Sequence, residues 1–263
     1  MTRAGRAWAQ ARPRLRALFW GRGWACRPAL TPLVAGFLAF AFCGCETTQE
    51  KSAALERQAK HTKIAGRGVS VSSENPSVRV LGSTVVRSNE GMAVAVALRN
   101  TSGHTLADAP IELTVRDAKG GVLYQNNAPG LQPSLTEVPL LEPGKTVVWI
   151  DDQLQVAGTP ASASALVGEA KATSTAPKIE VVSAHSSTTG AEASESGSVA
   201  NRSAVPQANL VVYAIARRAG RIVAAGRAVL PEVARGTSVP FQIYFVGNPQ
   251  GAQIEVSAPA TTF

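Results

Sequence analysis

Histidine and aspartate, which often act as general bases and metal ligands, are scarce in this chain of 263 residues. Its three histidines, His61, His104 and His185, have no nucleophile or carboxylate at a recognisable spacing. The sequence also lacks the HExxH, GxSxG and P-loop patterns that mark metallopeptidases, serine hydrolases and phosphate sites. We therefore predict no catalytic, cofactor-binding or metal-binding residues, and we treat an enzyme as the least favoured alternative.

Asp151 and Asp152 are the only adjacent acidic residues, and they follow a segment that contains Trp149. Paired carboxylates could hold calcium, which takes several carboxylate and carbonyl oxygens. However, no Asp-x-Asp-x-Asp loop is present, and no aspartate follows residue 176. The sequence therefore favours a solvated strand end over a calcium site.

The three cysteines, Cys26, Cys43 and Cys45, all lie near the N-terminus. The 44 residues that precede Cys45 carry seven arginines and no acidic residue, and they end in an apolar run, Leu33–Phe42. A basic start followed by an apolar stretch of 7–15 residues is typical of an export signal. A membrane-spanning helix needs about 20 apolar residues, so an uncleaved anchor is the second choice.

Phe42, Cys43 and Gly44 occupy the three positions before Cys45. This arrangement resembles the lipobox of bacterial lipoproteins, with Gly44 matching the small residue of the family and Phe42 and Cys43 departing from its usual residues. The resemblance implies cleavage before Cys45, acylation of its sulfur and amino group, and a lipid anchor to a membrane of the cell envelope, on the extracytoplasmic side. The alternative is an ordinary signal peptide with an incidental cysteine.

The net charge of +8 belongs mainly to this leader. Residues 45–263 hold 19 basic and 18 acidic residues, a net charge of +1. A nucleic-acid-binding domain would show a basic patch with base-reading groups. Arg217, Arg218 and Arg221 are the nearest approach to one and fit a solvated turn, so nucleic-acid binding is not expected. With one cysteine left after cleavage, a disulfide framework is excluded in the mature chain.

From Val78 onwards the sequence is typical of β-strands. Met92–Leu98 alternates large and small residues, which predicts a half-buried strand, and Ile111–Asp117 alternates in the same way. Turn residues such as Asn, Ser and Gly separate these segments. No helical period lies between the strands, so we predict an all-β fold rather than a parallel α/β fold.

The pattern recurs after a linker at 172–177. Asn201-Arg202-Ser203 follows Asn100-Thr101-Ser102 at a distance of 101 residues, and a strand, Gly turn and Gly-Thr segment follow each in the same order. Five strand aromatics, Trp149, Tyr213, Phe241, Tyr244 and Phe245, are expected in the cores. We predict two tandem immunoglobulin-like β-sandwiches in the order signal peptide 1–44, flexible and partly helical tether 45–75, first sandwich 76–172 and second sandwich 176–263.

Asn100-Thr101-Ser102, Ile111–Gly120 and Leu141–Thr146 together resemble the FxLYD-type domain of bacterial surface lipoproteins. Asp117, Gly120 and Pro143-Gly144 match that family, whereas Arg116 replaces its usual aromatic residue. The resemblance implies an Ig-like sandwich without a catalytic site. We therefore expect a non-catalytic, lipid-anchored adhesion, scaffold or envelope-assembly module with an unidentified envelope protein as partner. The alternative is a ligand-binding accessory lipoprotein of a transport or secretion system.

Overall fold

The computed structural model describes residues 68–89, 91–174, 176–189 and 192–263. The regular secondary structure of this part of the chain is antiparallel strand apart from one four-residue helix, so the all-β fold class is confirmed. The predicted signal peptide, most of the predicted tether and Cys45 lie outside the described residues. The division into two tandem immunoglobulin-like domains stays a prediction.

The first half of the described chain, residues 68–174, contains eight strands and helix α1. They are β1 (Val78–Arg87), β2 (Met92–Asn100), β3 (Thr105–Asp117), β4 (Val122–Gln125), α1 (Pro133–Thr136), β5 (Glu137–Leu141), β6 (Thr146–Asp151), β7 (Pro160–Val167) and β8 (Lys171–Thr173). The second half, residues 176–263, contains seven strands. They are β9 (Ile179–Thr189), β10 (Glu192–Asn201), β11 (Gln207–Arg218), β12 (Arg221–Val233), β13 (Ser238–Tyr244), β14 (Val246–Gly247) and β15 (Gln253–Ser257).

Each half contributes two sheets. In the first half, β3 pairs with β4, β5, β7 and β8 to form sheet I, and β1-β2-β6 forms sheet II. In the second half, β14-β12-β11-β15 forms sheet III and β13-β10-β9 forms sheet IV. Sheets II and IV have the same arrangement. In each, the second strand of the half lies in the middle, with the first strand on one side and a later strand, β6 or β13, on the other.

The four sheets stack as layers in the order I, II, III and IV. One apolar cluster combines sheets I and II with Val211, Tyr213, Ile215 and Ala225 of sheet III, so it extends from the first half into the second. A second cluster fills the space between sheets III and IV. We call the contact between sheets II and III the seam. The two halves are therefore joined face to face.

The seam explains why β2 and β11 are buried on both faces. In β2, the large residues Val94, Val96 and Leu98 are buried, and so are the intervening Ala93 and Ala95. The prediction that Met92–Leu98 forms a half-buried strand was therefore wrong. Small alanines on one face were read as solvent-facing, whereas their size lets sheet III approach closely.

Two asparagines at corresponding positions hold the same turn in each half. Asn100 and Asn201 are both 0% exposed. The Asn100 side-chain amide donates to the carbonyls of His104 and Leu141 at 2.7 and 2.8 Å, and its Oδ1 accepts from Ser102. Asn201 makes the equivalent bonds with Val205, Val233 and Ser203. The repeated Asn-x-Ser pattern is thus a buried structural motif.

The third strand of each half bends at an equivalent position. Asp108 and Asn209 have left-handed backbone angles, with φ of 50° and 49°. Asp108 is skipped in the ladder between β3 and β5, and Asn209 is skipped in the ladder between β11 and β12. Aspartate and asparagine tolerate this conformation better than other residues with a Cβ atom. These bulges lie 101 residues apart, the same spacing as the two asparagines.

The described chain begins as an extended segment on the surface of the first half. The Val71 amide donates to the Glu112 carboxylate at 3.0 Å, and the Asn75 amide donates to the Val167 carbonyl at 2.8 Å. The last eight residues of the predicted tether, 68–75, therefore lie against sheet I. Their structure contains neither helix nor strand.

Candidate functional site

The end of β6 places the two adjacent aspartates on opposite sides of sheet II, because successive side chains of an extended chain point in opposite directions. Asp151 points towards sheet I and is 0% exposed. Its Oδ2 accepts a hydrogen bond from the Tyr124 hydroxyl at 2.8 Å, and its Oδ1 accepts from the Gln153 amide at 3.0 Å. Asp151 is therefore buried between sheets I and II.

Asp152 points the other way, across the seam. Its carboxylate accepts from Nε of Arg227 at 2.8 Å and from the backbone amide of the same residue at 3.0 Å. The side chains of Arg227 and Asp152 are only 2% and 15% exposed. This buried ion pair joins the end of β6 in the first half to β12 in the second.

The expectation of a solvated strand end at Asp151-Asp152 was therefore wrong. Both partners, Tyr124 and Arg227, are distant along the chain, so the local sequence gave no sign of them. One signal was present: Arg227 is the only charged residue in the otherwise apolar run Ile222–Leu230. A lone arginine in a strand of that composition requires a buried partner or a path to solvent.

Burial dominates the titration of this cluster. It raises the pKa of Asp151 above its ordinary value of 3.8, although the bonds from Gln153 and Tyr124 and the nearby Arg227 oppose the shift. Burial and the adjacent Asp151 carboxylate raise the pKa of the Tyr124 hydroxyl. Burial likewise raises the pKa of Tyr213, which lies directly opposite Arg227 in the ladder between β11 and β12.

Two cavities open between the two halves. The first has a volume of about 530 Å³ and a lining that is polar and apolar in equal parts, with Val148, Val181 and Ile215 among its apolar residues and Glu142 and Lys145 among its polar ones. It lies beside β6, β9 and β15, which are the edge strands of sheets II, IV and III. Its volume is in the range of small-molecule sites, although such sites are usually lined mainly by apolar residues.

The second cavity, of about 490 Å³, is more acidic. Asp108 and Glu137 line it, and Lys171 forms an ion pair with Asp108 at 3.1 Å. Burial and the Asp108 carboxylate raise the pKa of Glu137, and Lys171 opposes that shift. Asn209 lines the same cavity, so the bulges of both halves meet there.

The other residues that the sequence analysis considered for a functional role do not lie together. Cys45, the predicted lipid attachment residue, and His61 lie outside the described residues, while His104 and His185 are both exposed. Within the described ranges, no group of three or more His, Cys, Asp or Glu side chains could hold a metal ion. The structure therefore brings together Asp151, Asp152 and three residues that sequence reasoning did not connect with them, Tyr124, Tyr213 and Arg227.

Four of the five aromatics predicted as core are buried: Trp149, Tyr213, Phe241 and Phe245. Tyr244 is 58% exposed, so its assignment to the core was wrong. Phe241 and Ile243 take the inward positions of β13, which places Tyr244 on the outer face of sheet IV. Among residues 68–263 as described, no helix has the length and apolar character needed to cross a membrane.

No protein-family model matches this chain, and no curated protein matches it. Among solved structures, it is similar to a complex of the exo-chitosanase CsxA of Amycolatopsis orientalis with PNP-beta-D-glucosamine. The sequence identity is 11%, the TM-score is 0.26, and the match covers 69% of this chain and 26% of that one. A likeness at this TM-score supports no statement about fold or activity.

Proposed function

We propose that the protein is a non-catalytic adhesion, scaffold or envelope-assembly module, held on the extracytoplasmic side of a membrane by acyl chains on Cys45. The Arg-rich start, the apolar run and the small residue before Cys45 support the anchor. Two or more acyl chains hold a protein stably, because each buried methylene contributes about 0.8 kcal/mol and one chain alone is marginal.

The observation that supports a partner-binding role most directly is the open edge of β9. This strand of 11 residues is an edge strand of sheet IV, and among the described strands it pairs only with β10. Residues 184–188 are all exposed and carry no Lys, Arg, Asp, Glu or Pro. A strand edge of this kind offers unpaired amides and carbonyls, to which an extended segment of a partner protein can add.

A lysine on that edge tests the role, because charged side chains on edge strands block strand addition. We expect Ala184→Lys to reduce the recovery of envelope proteins that co-purify with wild type after cross-linking in intact cells. Ala118→Lys is the matched control, since Ala118 is exposed in the turn between β3 and β4. Equal recovery with both variants would exclude β9 as the contact.

The anchor has a separate test. Cys45→Ala should move the protein from the membrane fraction to the soluble extracytoplasmic fraction, and the N-terminal peptide of wild type should carry the mass of the acyl chains. If the variant stays as firmly membrane-bound as wild type, Cys45 is not the anchor.

The cavity of about 530 Å³ favours a second candidate, a ligand-binding accessory lipoprotein. Its volume lies within the 300–1,000 Å³ that small-molecule sites occupy. Native mass spectrometry of protein released from envelopes would show a bound small molecule, and Val181→Trp should remove it by filling the cavity. If wild type carries no added mass, the module role is favoured instead.

A further inference from the structure

Three polar atoms close to the buried ion pair have no hydrogen-bond partner among the described residues. They are Nη2 of Arg227, the hydroxyl of Tyr213 and the hydroxyl of Ser134. All three residues are at least nine-tenths buried. More than nine-tenths of buried polar groups in native proteins are paired, so three such atoms in one region require an explanation.

Arg227 is a neighbour of both Ser134 and Tyr213. Nη1 of Arg227 lies 3.4 Å from the carbonyl oxygen of Ser134. Tyr213 and Arg227 are directly opposed residues of β11 and β12, and opposed side chains on one face of an antiparallel pair lie close together. The guanidinium is therefore the centre of the group, with Ser134 on one side and Tyr213 on the other.

The charges around the three atoms restrict what can satisfy them. Asp152 already neutralises Arg227, and Asp151 adds a second carboxylate nearby. A cation would face the guanidinium, and an anion would face the two carboxylates. The partner must therefore be neutral, and it must accept from Nη2 while it pairs with two hydroxyls that can donate or accept.

We propose that the seam contains an internal water site formed by Arg227, Tyr213 and Ser134. Water meets both requirements, and buried water in proteins makes about three hydrogen bonds on average. One or two molecules accept from Nη2, while Nε donates to Asp152 and Nη1 lies close to the Ser134 carbonyl. The seam then contains a hydrated polar site beside the apolar cluster that crosses it.

Tyr213→Phe tests the proposal, because a water-bonded hydroxyl and an unpaired hydroxyl in a dry core predict different changes in stability. If water bonds the hydroxyl, its removal costs a hydrogen bond of about 1 kcal/mol, and the unfolding equilibrium constant of the full chain should rise about fivefold. If the hydroxyl lies unpaired in a dry core, its removal leaves stability unchanged or raises it. Urea unfolding monitored by tryptophan fluorescence measures the difference.

Ser134→Ala should also destabilise the chain, because its hydroxyl loses a bond to water in the same way. Tyr124→Phe is the matched control, since the Tyr124 hydroxyl donates directly to Asp151. When it is combined with Tyr213→Phe, the two losses of stability should add. A crystal structure that resolves ordered water should show density within hydrogen-bond distance of Nη2. A stabilising Tyr213→Phe, or a seam without that density, would overturn the proposal.

Discussion

The buried Asp152–Arg227 ion pair constrains the strands that carry the two residues. A buried ion pair adds little net stability, because desolvation of both charges offsets their attraction. Removal of one partner is costly, since the other charge stays buried without compensation. In this protein Asp152 also binds the backbone amide of Arg227, which has no strand partner on that side. The pair therefore fixes the position of β12 relative to the end of β6.

We expect Asp152→Ala to lower the free energy of unfolding by about 3 kcal/mol, because it leaves the Arg227 guanidinium buried without its carboxylate. Urea unfolding measures the change. The control is Glu255→Gln, which removes the exposed pair with Arg217 and should cost less than about 1 kcal/mol. A cost for Asp152→Ala no larger than that of the control would show that water reaches the seam freely.

The stability of the protein should depend on pH through two carboxyl groups, the fully buried Asp151 and the partly buried Glu137. The pKa values of Asp151 and Glu137 are raised in the folded protein, from ordinary values of 3.8 and 4.5. The native state therefore retains these protons at a pH where the unfolded chain has released them. Stability should consequently fall as the pH rises from about 4 through the raised pKa values.

Asp151→Asn and Glu137→Gln should each flatten that part of the profile, because the variant side chain does not titrate. The free energy of unfolding, measured at intervals between pH 4 and pH 7, gives the slope. Glu232→Gln is the control, since Glu232 is exposed and its loss should keep the wild-type slope. A wild-type stability that rises steadily through this range would contradict the raised pKa values.

At the scale of elements, the two Asn-x-Ser turns are equivalent parts of the two halves. Each asparagine is fully buried and bonds two carbonyls and one following serine. We expect Asn100→Ala and Asn201→Ala each to cost about 3 kcal/mol, because buried backbone carbonyls lose their donors. The control is Asn127→Ala, which removes one weak exposed contact at 3.4 Å.

The comparison between the two variants is as informative as the size of either. Equal costs, within about 1 kcal/mol, would support a duplicated unit in which each turn has the same role. If Asn201→Ala were as harmless as Asn127→Ala, the matching bonds would be geometrically similar but energetically unequal. Circular dichroism of each variant would confirm that the strands are retained.

The sequence predicted the strands better than it predicted their environment. Alternation located β2 and most of β3, and turn residues located Asn100 and Asn201, because these signals are local. The role of Asp152 depends on Arg227, which lies 75 residues away. Likewise, Ala95 on β2 could face solvent or a second sheet, and only the arrangement of the two halves decides between them. Interactions between distant segments leave no local pattern.

At the scale of the whole molecule, the seam makes the two halves depend on each other. Tyr213 and Ile215 of the second half pack in the same apolar cluster as Val96 and Trp149 of the first half. Separation of the halves would expose this surface and leave Asp152 and Arg227 without each other. We therefore expect one cooperative unfolding transition, rather than two that follow the repeat.

Ala93→Leu tests that dependence, since Ala93 is 0% exposed, packs in the apolar cluster that joins the two halves, and lies on the same face of β2 as Ala95. Three added carbons must displace well-packed neighbours there, and overpacking of this kind costs about 1–3 kcal/mol. Ala161→Leu is the matched control because Ala161 is exposed on β7. In calorimetry, the whole transition of Ala93→Leu should shift to lower temperature as a single peak. If the peak splits into two, the first half and the second half fold independently, and the seam is a contact between autonomous domains.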